Sequence, residues 1–320
     1  MSKANITLTS SQSQVRATRQ ASPGPDKPEN GQRTLAGWLF ALPWTAIFLI
    51  FMVLPIIVSL LLSFTDFGLA NLQDPFNLHF IGIQNYVHLV HDQVFLLAAL
   101  NTLIIVVIGV PLNIGLALLI AIGLNRGTNY VKALFRIGYY LPVVTSIVAI
   151  AVLWRYLLDP QVGLVNNLLH LVGITGPNWL NSPNWALPSI IFIIIWHNVG
   201  SSMIILLAGL LGIDPALYEA AEMDGAGTFA LFRNITLPML RPTLLLVTVL
   251  TSVGFLQVFQ EPFVLTQGGP LNRTLTVSIY LYQEGFDFFN QGYASAMAYV
   301  LFVAIVILAF IQFRLLQPQT

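Results

Sequence analysis

Apolar residues run in long, nearly unbroken stretches along this chain, and short segments rich in charge, glycine and proline separate them. A helix needs about 20 predominantly apolar residues to cross the hydrocarbon core of a bilayer. Six stretches meet that test, at residues 35–62, 95–119, 137–157, 187–211, 244–264 and 294–316. The pattern predicts an all-α membrane protein with six transmembrane helices, and an even number of spans leaves both termini on one side.

Composition agrees with the pattern. Of 320 residues, 56% are hydrophobic and 8% are charged, and the mean hydropathy is +0.79. A soluble domain carries about a quarter of its residues as charges, so one membrane bundle accounts for the length better than two soluble domains. A water-soluble catalytic domain is excluded. The absence of cysteine removes disulfides, thiolate metal sites and cysteine nucleophiles together. The basic residues are scattered at the ends of apolar runs, so lipid is a partner and nucleic acid is not.

Lysine and arginine concentrate in cytoplasmic connections, and here they decide the orientation. Of the 13 basic residues, all but Arg155 and Arg273 lie on the side shared by the N-terminal tail, the second-to-third connection (Arg126, Lys132, Arg136), the fourth-to-fifth connection (Arg233, Arg241) and the C-terminus (Arg314). Both termini are therefore expected in the cytoplasm, in a bacterial inner or plasma membrane crossed several times. Residues 1–33 are rich in Ser, Gln, Thr and Pro and hold no apolar core long enough for a signal sequence. They read as a disordered cytoplasmic tail preceding a membrane domain at 34–320. The outer connections carry Tyr86, Trp179, Trp185 and Tyr293, which suit a headgroup belt or a receptor surface.

One segment of this greasy chain looks built for docking: residues 214–238, on the cytoplasmic side. Asp214 before Pro215 reads as an N-cap with proline at the first helical position. Gly225 and Gly227 can stop the helix in a left-handed conformation. Leu217, Ala220 and Ala221 share an apolar face, with Glu219 and Glu222 beside it. Thr228 is expected to cap a second short helix that runs to Ile235 and is ended by Pro238.

The spelling of that segment, Glu219-Ala220-Ala221, then Asp224-Gly225-Ala226, then Ile235-Thr236-Leu237-Pro238, resembles the EAA loop of permease subunits of bacterial binding-protein-dependent ABC importers. Phe40-Ala41-Leu42-Pro43, Pro55, Ser63-Phe64-Thr65, Gly82 to Tyr86, Leu141-Pro142, Gly163 to Asn166 and Leu265 to Pro270 are similar to the carbohydrate branch, of the maltose and glycerol-phosphate type. The resemblance covers roughly 35–316, with the core permease at about 95–316. It implies the type I importer permease fold and a chain that moves a sugar, or alternatively glycerol phosphate or another polyol. It implies a second related permease, two copies of a cytoplasmic ABC ATPase that bind ATP and magnesium, and an extracytoplasmic solute-binding protein as partners. It also makes Glu219, Ala220, Ala221, Asp224, Gly225, Arg233, Leu237 and Pro238 the residues that couple to the ATPase.

The chain itself holds no phosphate-binding loop: its lysines are Lys3, Lys27 and Lys132, none preceded by glycine. No cofactor and no catalytic residue is expected in it, and neither a nucleophile elbow nor a zinc helix is present. His88, His91 and Asp92 lie close together but make a weak metal set, so no metal is expected. A proton- or sodium-coupled transporter is the rival reading, with Glu261 the one acid well positioned for it. A membrane-embedded enzyme would need clustered acidic, His or Ser groups at one face, which the sequence lacks.

Polar groups deep in a membrane are costly and hence candidates for function. In the fourth span Trp196, His197 and Asn198 lie at roughly half depth, with Ser201 and Ser202 on the next turn. In the fifth, Thr251, Ser252 and Gly254 lie near the middle, and Gln257, Gln260 and Glu261 share a face toward the outer end at i, i+3 and i+4. An aromatic beside amides and hydroxyls suits a sugar. Trp196, Asn198, Ser201, Thr251, Gln257, Gln260 and Glu261 are the expected substrate pathway.

Overall fold

The computed structural model describes residues 30–72, 78–126 and 129–316. The expected tail lies outside the described residues except for 30–33, which open the first helix. The described residues are largely helical, with an isolated antiparallel bridge between Thr65 and Phe80. Five of their helices are long and apolar enough to cross a membrane, or six when one bent pair counts as a single span.

Of the described residues, those from 30 to 56 belong to one compact unit. Here α1 (Asn30–Phe48) passes through a π-helical turn, Leu49–Val53, into α2 (Leu54–Leu62). Pro55 accounts for the turn. It has no N–H and its ring crowds the preceding turn, so the Leu54 N–H bonds to Leu49 O, one residue further back than in an α-helix.

The remaining residues, from Ile57, form the second unit. α3 (Gln84–His91) leads into α4 (Gln93–Arg126) through Asp92, whose Oδ1 accepts from the N–H groups of Val94 (2.9 Å) and Phe95 (3.3 Å) and so caps α4. The third predicted span is not one helix. α5 (Asn129–Val144) and α6 (Ile147–Leu157) meet at 108°. Pro142 withdraws a backbone donor near the end of α5, and the Thr145 hydroxyl takes the Leu141 carbonyl at 2.7 Å. Ser146, at ψ 129°, then turns the chain. α7 (Leu164–Leu171) follows in an outer connection, and α8 (Ala186–Leu211) matches the fourth predicted span to within a residue.

The cytoplasmic segment holds α9 (Pro215–Met223), α10 (Thr228–Leu231) and α11 (Leu237–Met239). The fifth predicted span is divided into α12 (Arg241–Leu256) and α13 (Gln260–Thr266), so Gln257, Gln260 and Glu261 do not lie on one face of a continuous helix as expected. α14 (Val277–Tyr282) packs at the outer side, and α15 (Gln291–Leu316) is the last span.

Apolar burial gives a helix little preference for a protein neighbour over a lipid tail, so close approach and hydrogen bonds must fix the bundle. Both are present. A Cβ added at Gly200 of α8 would overlap the carbonyl oxygen of Tyr139 in α5 and lie 2.9 Å from its carbonyl carbon, so backbone rests on backbone there. Asn113 of α4 donates to Ser202 of α8 at 2.8 Å, and Gln312 of α15 donates to Ser252 of α12 at 2.7 Å. Each such bond is worth roughly 0.6–2 kcal/mol in a membrane. At the outer end the buried Asn101 donates to the carbonyls of Asn272 (2.8 Å) and Leu275 (2.9 Å), tying α4 to the loop after α13.

Candidate functional site

Two places stand out, one in the cytoplasmic segment and one in the middle of the bundle. In the first, Asp214 accepts from the Ala216 N–H at 2.9 Å with Pro215 at the start of α9, as the sequence predicts. Gly225, at φ +81°, ends the helix in the left-handed region. The Ala226 N–H reaches Ala221 O (2.9 Å) and the Gly225 N–H reaches Glu222 O (3.0 Å), the reciprocal closure of a Schellman turn.

Two details depart from expectation. Gly227, not Thr228, is the residue preceding α10, and it is extended (φ −75°, ψ 166°). Thr228 is the first helical residue and makes no cap. Pro238 does not end the second helix: a π-helical turn at Phe232–Thr236 precedes it and α11 continues through it, so its missing N–H falls where the ladder has already slipped by one residue.

No residue of α9 is buried. Glu219, Ala220, Asp224 and Arg233 are exposed and Ala221, Leu237 and Pro238 half-buried. Apolar side chains stand out beside them, with Met223 89% and Phe229 74% exposed, far from what a solvated connector needs. The knuckle is nonetheless fixed. Tyr218 packs against a cluster drawn from α4, α8, α12 and the residues beside them, including Leu206, Leu210 and Leu240, and its hydroxyl meets Thr236 Oγ1 at 3.0 Å. Sequence reasoning passed over Tyr218, although a lone aromatic three residues from Pro215 was the signal.

In the second place, a cavity of about 470 Å³ opens between α8, α12 and α13. Asn198, Ser201, Thr251, Gln257, Gln260 and Glu261 all line it, joined by Ser202, Gly254 and Phe259. One N–H of the Asn198 amide is spent on Ile194 O (2.9 Å), which leaves its second N–H and its carbonyl oxygen. Ser202 and Thr251 face each other at 3.4 Å.

Trp196 does not join them. It meets Trp154 edge to face (centroids 5.4 Å, 82°) and lines a different, apolar hollow with Pro111, Phe135, Gly138 and Pro142. The aromatic surface of the polar cavity comes from Phe255 and Phe259, the latter stacked on Phe263 at 4.7 Å.

Glu261 is 7% exposed and paired: its Oε1 lies 3.0 Å from His197 Nδ1. The partners are 64 residues apart in sequence, His197 on α8 and Glu261 in the first turn of α13. His88 and His91 point elsewhere, His88 onto the Tyr293 ring (4.8 Å) and His91 Nδ1 onto Val87 O (2.9 Å). Asp92 takes the hydroxyls of Tyr280 (2.6 Å) and Tyr293 (2.7 Å). Burial pushes the Asp92 carboxyl up, but these two hydroxyls and the N–H groups of Phe95 and Val94 outweigh it and hold it below its ordinary 3.8.

Residues 113–320 match the model of the family described as binding-protein-dependent transport system inner membrane component. The chain belongs to that family. The permease is 40% identical over 283 residues to the lactose transport system permease protein LacF of Rhizobium radiobacter, covering 87% of this chain and 92% of the relative. Among solved structures it is similar to a bacterial ABC transporter involved in the import of the acidic polysaccharide alginate, with TM-score 0.78, 27% identity and coverage of 90% and 97%. It is similarly close to the bacterial alginate ABC transporter in complex with alginate pentasaccharide-bound periplasmic protein, with TM-score 0.77, 27% identity and the same coverage. The permease is thus an inner-membrane, all-α transport component with the type I importer fold.

Proposed function

We propose that this permease passes a sugar or oligosaccharide, delivered by an extracytoplasmic binding protein, through the cavity between α8, α12 and α13. A separate cytoplasmic ATPase drives it by docking on residues 214–238. The observation that carries the reading is that one cavity gathers six polar side chains of the fourth and fifth spans, with Phe259 beside them. Amides and hydroxyls pair with sugar hydroxyls, and an aromatic face takes the apolar face of the ring.

The relative named for lactose transport and the alginate transporters support a carbohydrate as cargo. The second alginate structure, with its loaded periplasmic protein, supports delivery by a binding protein. A second related permease completes the membrane half of the assembly. The chain lacks a phosphate-binding loop, so ATP and magnesium belong to the ATPase and this subunit is not itself an enzyme.

The mechanism follows from where the parts lie. Glu219, Ala220 and Ala221 sit on an exposed helix with small side chains that allow close approach, and Asp224 and Gly225 set its end. Tyr218 and Thr236 join that helix to the bundle core, and α12, which bears Thr251 and Gly254, begins two residues after α11 ends. Closure of the ATPases displaces the knuckle, and the displacement reaches the cavity wall through α12. The two sites bias one two-state bundle.

Proteoliposomes holding the assembled transporter, its binding protein and ATP test the reading through uptake of labelled lactose and related neutral oligosaccharides. Glu219→Lys should abolish uptake and co-purification of the ATPase while the chain stays in the membrane. A variant that retains both at the unaltered level refutes the docking assignment.

A further inference from the structure

Glu261 is the single ionisable residue among those lining the cavity between α8, α12 and α13, and no lysine or arginine lines it among the described residues. Arg155, on α6, is not part of that lining; its Nη2 donates to the carbonyls of Val264 (3.0 Å) and Leu265 (2.9 Å) at the end of α13. The charge of the wall therefore depends on how Glu261 and His197 share a proton across 3.0 Å.

A neutral imidazole protonated at Nδ1 donates to the carboxylate and keeps Nε2 as a bare acceptor. That arrangement leaves the pair with one negative charge, and no other ionisable side chain lines the cavity to offset it.

We propose that Glu261, hydrogen-bonded to His197, gives the cavity a fixed negative charge that admits neutral carbohydrate and excludes solutes bearing a carboxylate, sulfonate or phosphate. This rests on the reading of the cavity as the sugar pathway. At about 6 Å and an effective dielectric of about 20, the repulsion between two unit charges corresponds to roughly a 100-fold discrimination. Likeness to an importer of an acidic polysaccharide does not extend that cargo to this wall.

The chain has no cysteine, so Gly254→Cys sets a single thiol in the cavity of this subunit, at a position where nothing lies within 4 Å of an added Cβ. In membrane vesicles carrying the assembled transporter, that thiol is reacted with methanethiosulfonates bearing ethyltrimethylammonium or ethylsulfonate. Each rate is divided by the reagent's rate with 2-mercaptoethanol, and the assembly without the new cysteine serves as the blank.

The cation-to-anion ratio should be about 10, from a roughly threefold gain and a threefold loss for unit charges about 10 Å apart in partly hydrated surroundings. It should fall to about 1 with Glu261→Gln. A ratio near 1 in the presence of Glu261 overturns the proposal, as does a ratio of 10 that survives Glu261→Gln. If Glu261→Gln does not assemble, the ratio with Glu261 present decides. Uptake by vesicles of the assembly without the new cysteine separates the two readings: uptake of lactose or a related neutral oligosaccharide with a ratio of 1 defeats the charge filter alone, and a ratio of 10 without uptake of any neutral oligosaccharide defeats the sugar pathway on which the filter rests.

Discussion

Gly200 offers a sharp test of how α5 and α8 are held together. An alanine Cβ at this position overlaps the Tyr139 carbonyl oxygen and lies 2.9 Å from the carbonyl carbon, where 3.4 Å is the near limit of ordinary contact. The obstacle is backbone on a packed helix, not the end of a flexible side chain, so the two helices must part. Overpacking of this kind costs about 1–3 kcal/mol, while replacing glycine by alanine in a helix returns about 0.8–1 kcal/mol. The net expectation is a loss of up to about 2 kcal/mol, which lowers a thermal midpoint by several degrees for a protein of this size. Gly138→Ala is the matched control on α5, because nothing lies within 4 Å of its added Cβ. Thermal unfolding of the purified transporter, followed by intrinsic fluorescence together with sugar uptake, should therefore rank Gly138→Ala at or above the unaltered protein and Gly200→Ala below it. Equal midpoints for the two variants would refute the backbone contact between α5 and α8.

Gly225→Val should uncouple uptake from ATP hydrolysis without crowding anything, since the space is open but φ +81° costs a β-branched residue about 1–2 kcal/mol or more; ATPase stimulation by the loaded binding protein measures it. Asn198→Ala and Gln257→Ala should each raise the KM for sugar by about fivefold, the worth of one hydrogen bond near 1 kcal/mol, and unchanged kinetics in both would remove them from the pathway. Asp92 supplies a pH-dependent prediction. Its carboxyl is held below 3.8 in the folded chain, so its contribution is present above that value and is lost as the pH falls through the lower folded value. Tyr280→Phe should cost about 1 kcal/mol at neutral pH, allowing for solvent screening, and the cost should shrink in acid, as unfolding at both pH values will show.

Length and hydropathy were enough to find the spans, because roughly 20 apolar residues in a row have few other uses. They could not find the breaks. The α12–α13 break has no proline until Pro262, five residues past Gln257, so nothing local announced it. The pairing of His197 with Glu261, 64 residues apart on different helices, was equally hidden, because sequence spacing does not say which faces of two spans meet. The separation of Trp196 from Asn198, by contrast, was legible and overlooked: two residues along a helix turn it by about 200°, so both could not face one cavity. The capping of α9 was readable because Asp-Pro and a following glycine act within a few residues of where they stand.

The break in the fifth span also changes what the cavity is made of. In a continuous helix the Val258 N–H would close on the Gly254 carbonyl, but here it turns to Phe255 O at 3.4 Å. Gly254 lines the cavity, so its released carbonyl is a main-chain acceptor in the wall. Such a group stays in place under any side-chain substitution. Selection can then rewrite Gln257, Gln260 or Glu261 to suit a new cargo while an acceptor for hydroxyl groups remains, a division of labour in which side chains carry the discrimination and the backbone carries the shared affinity.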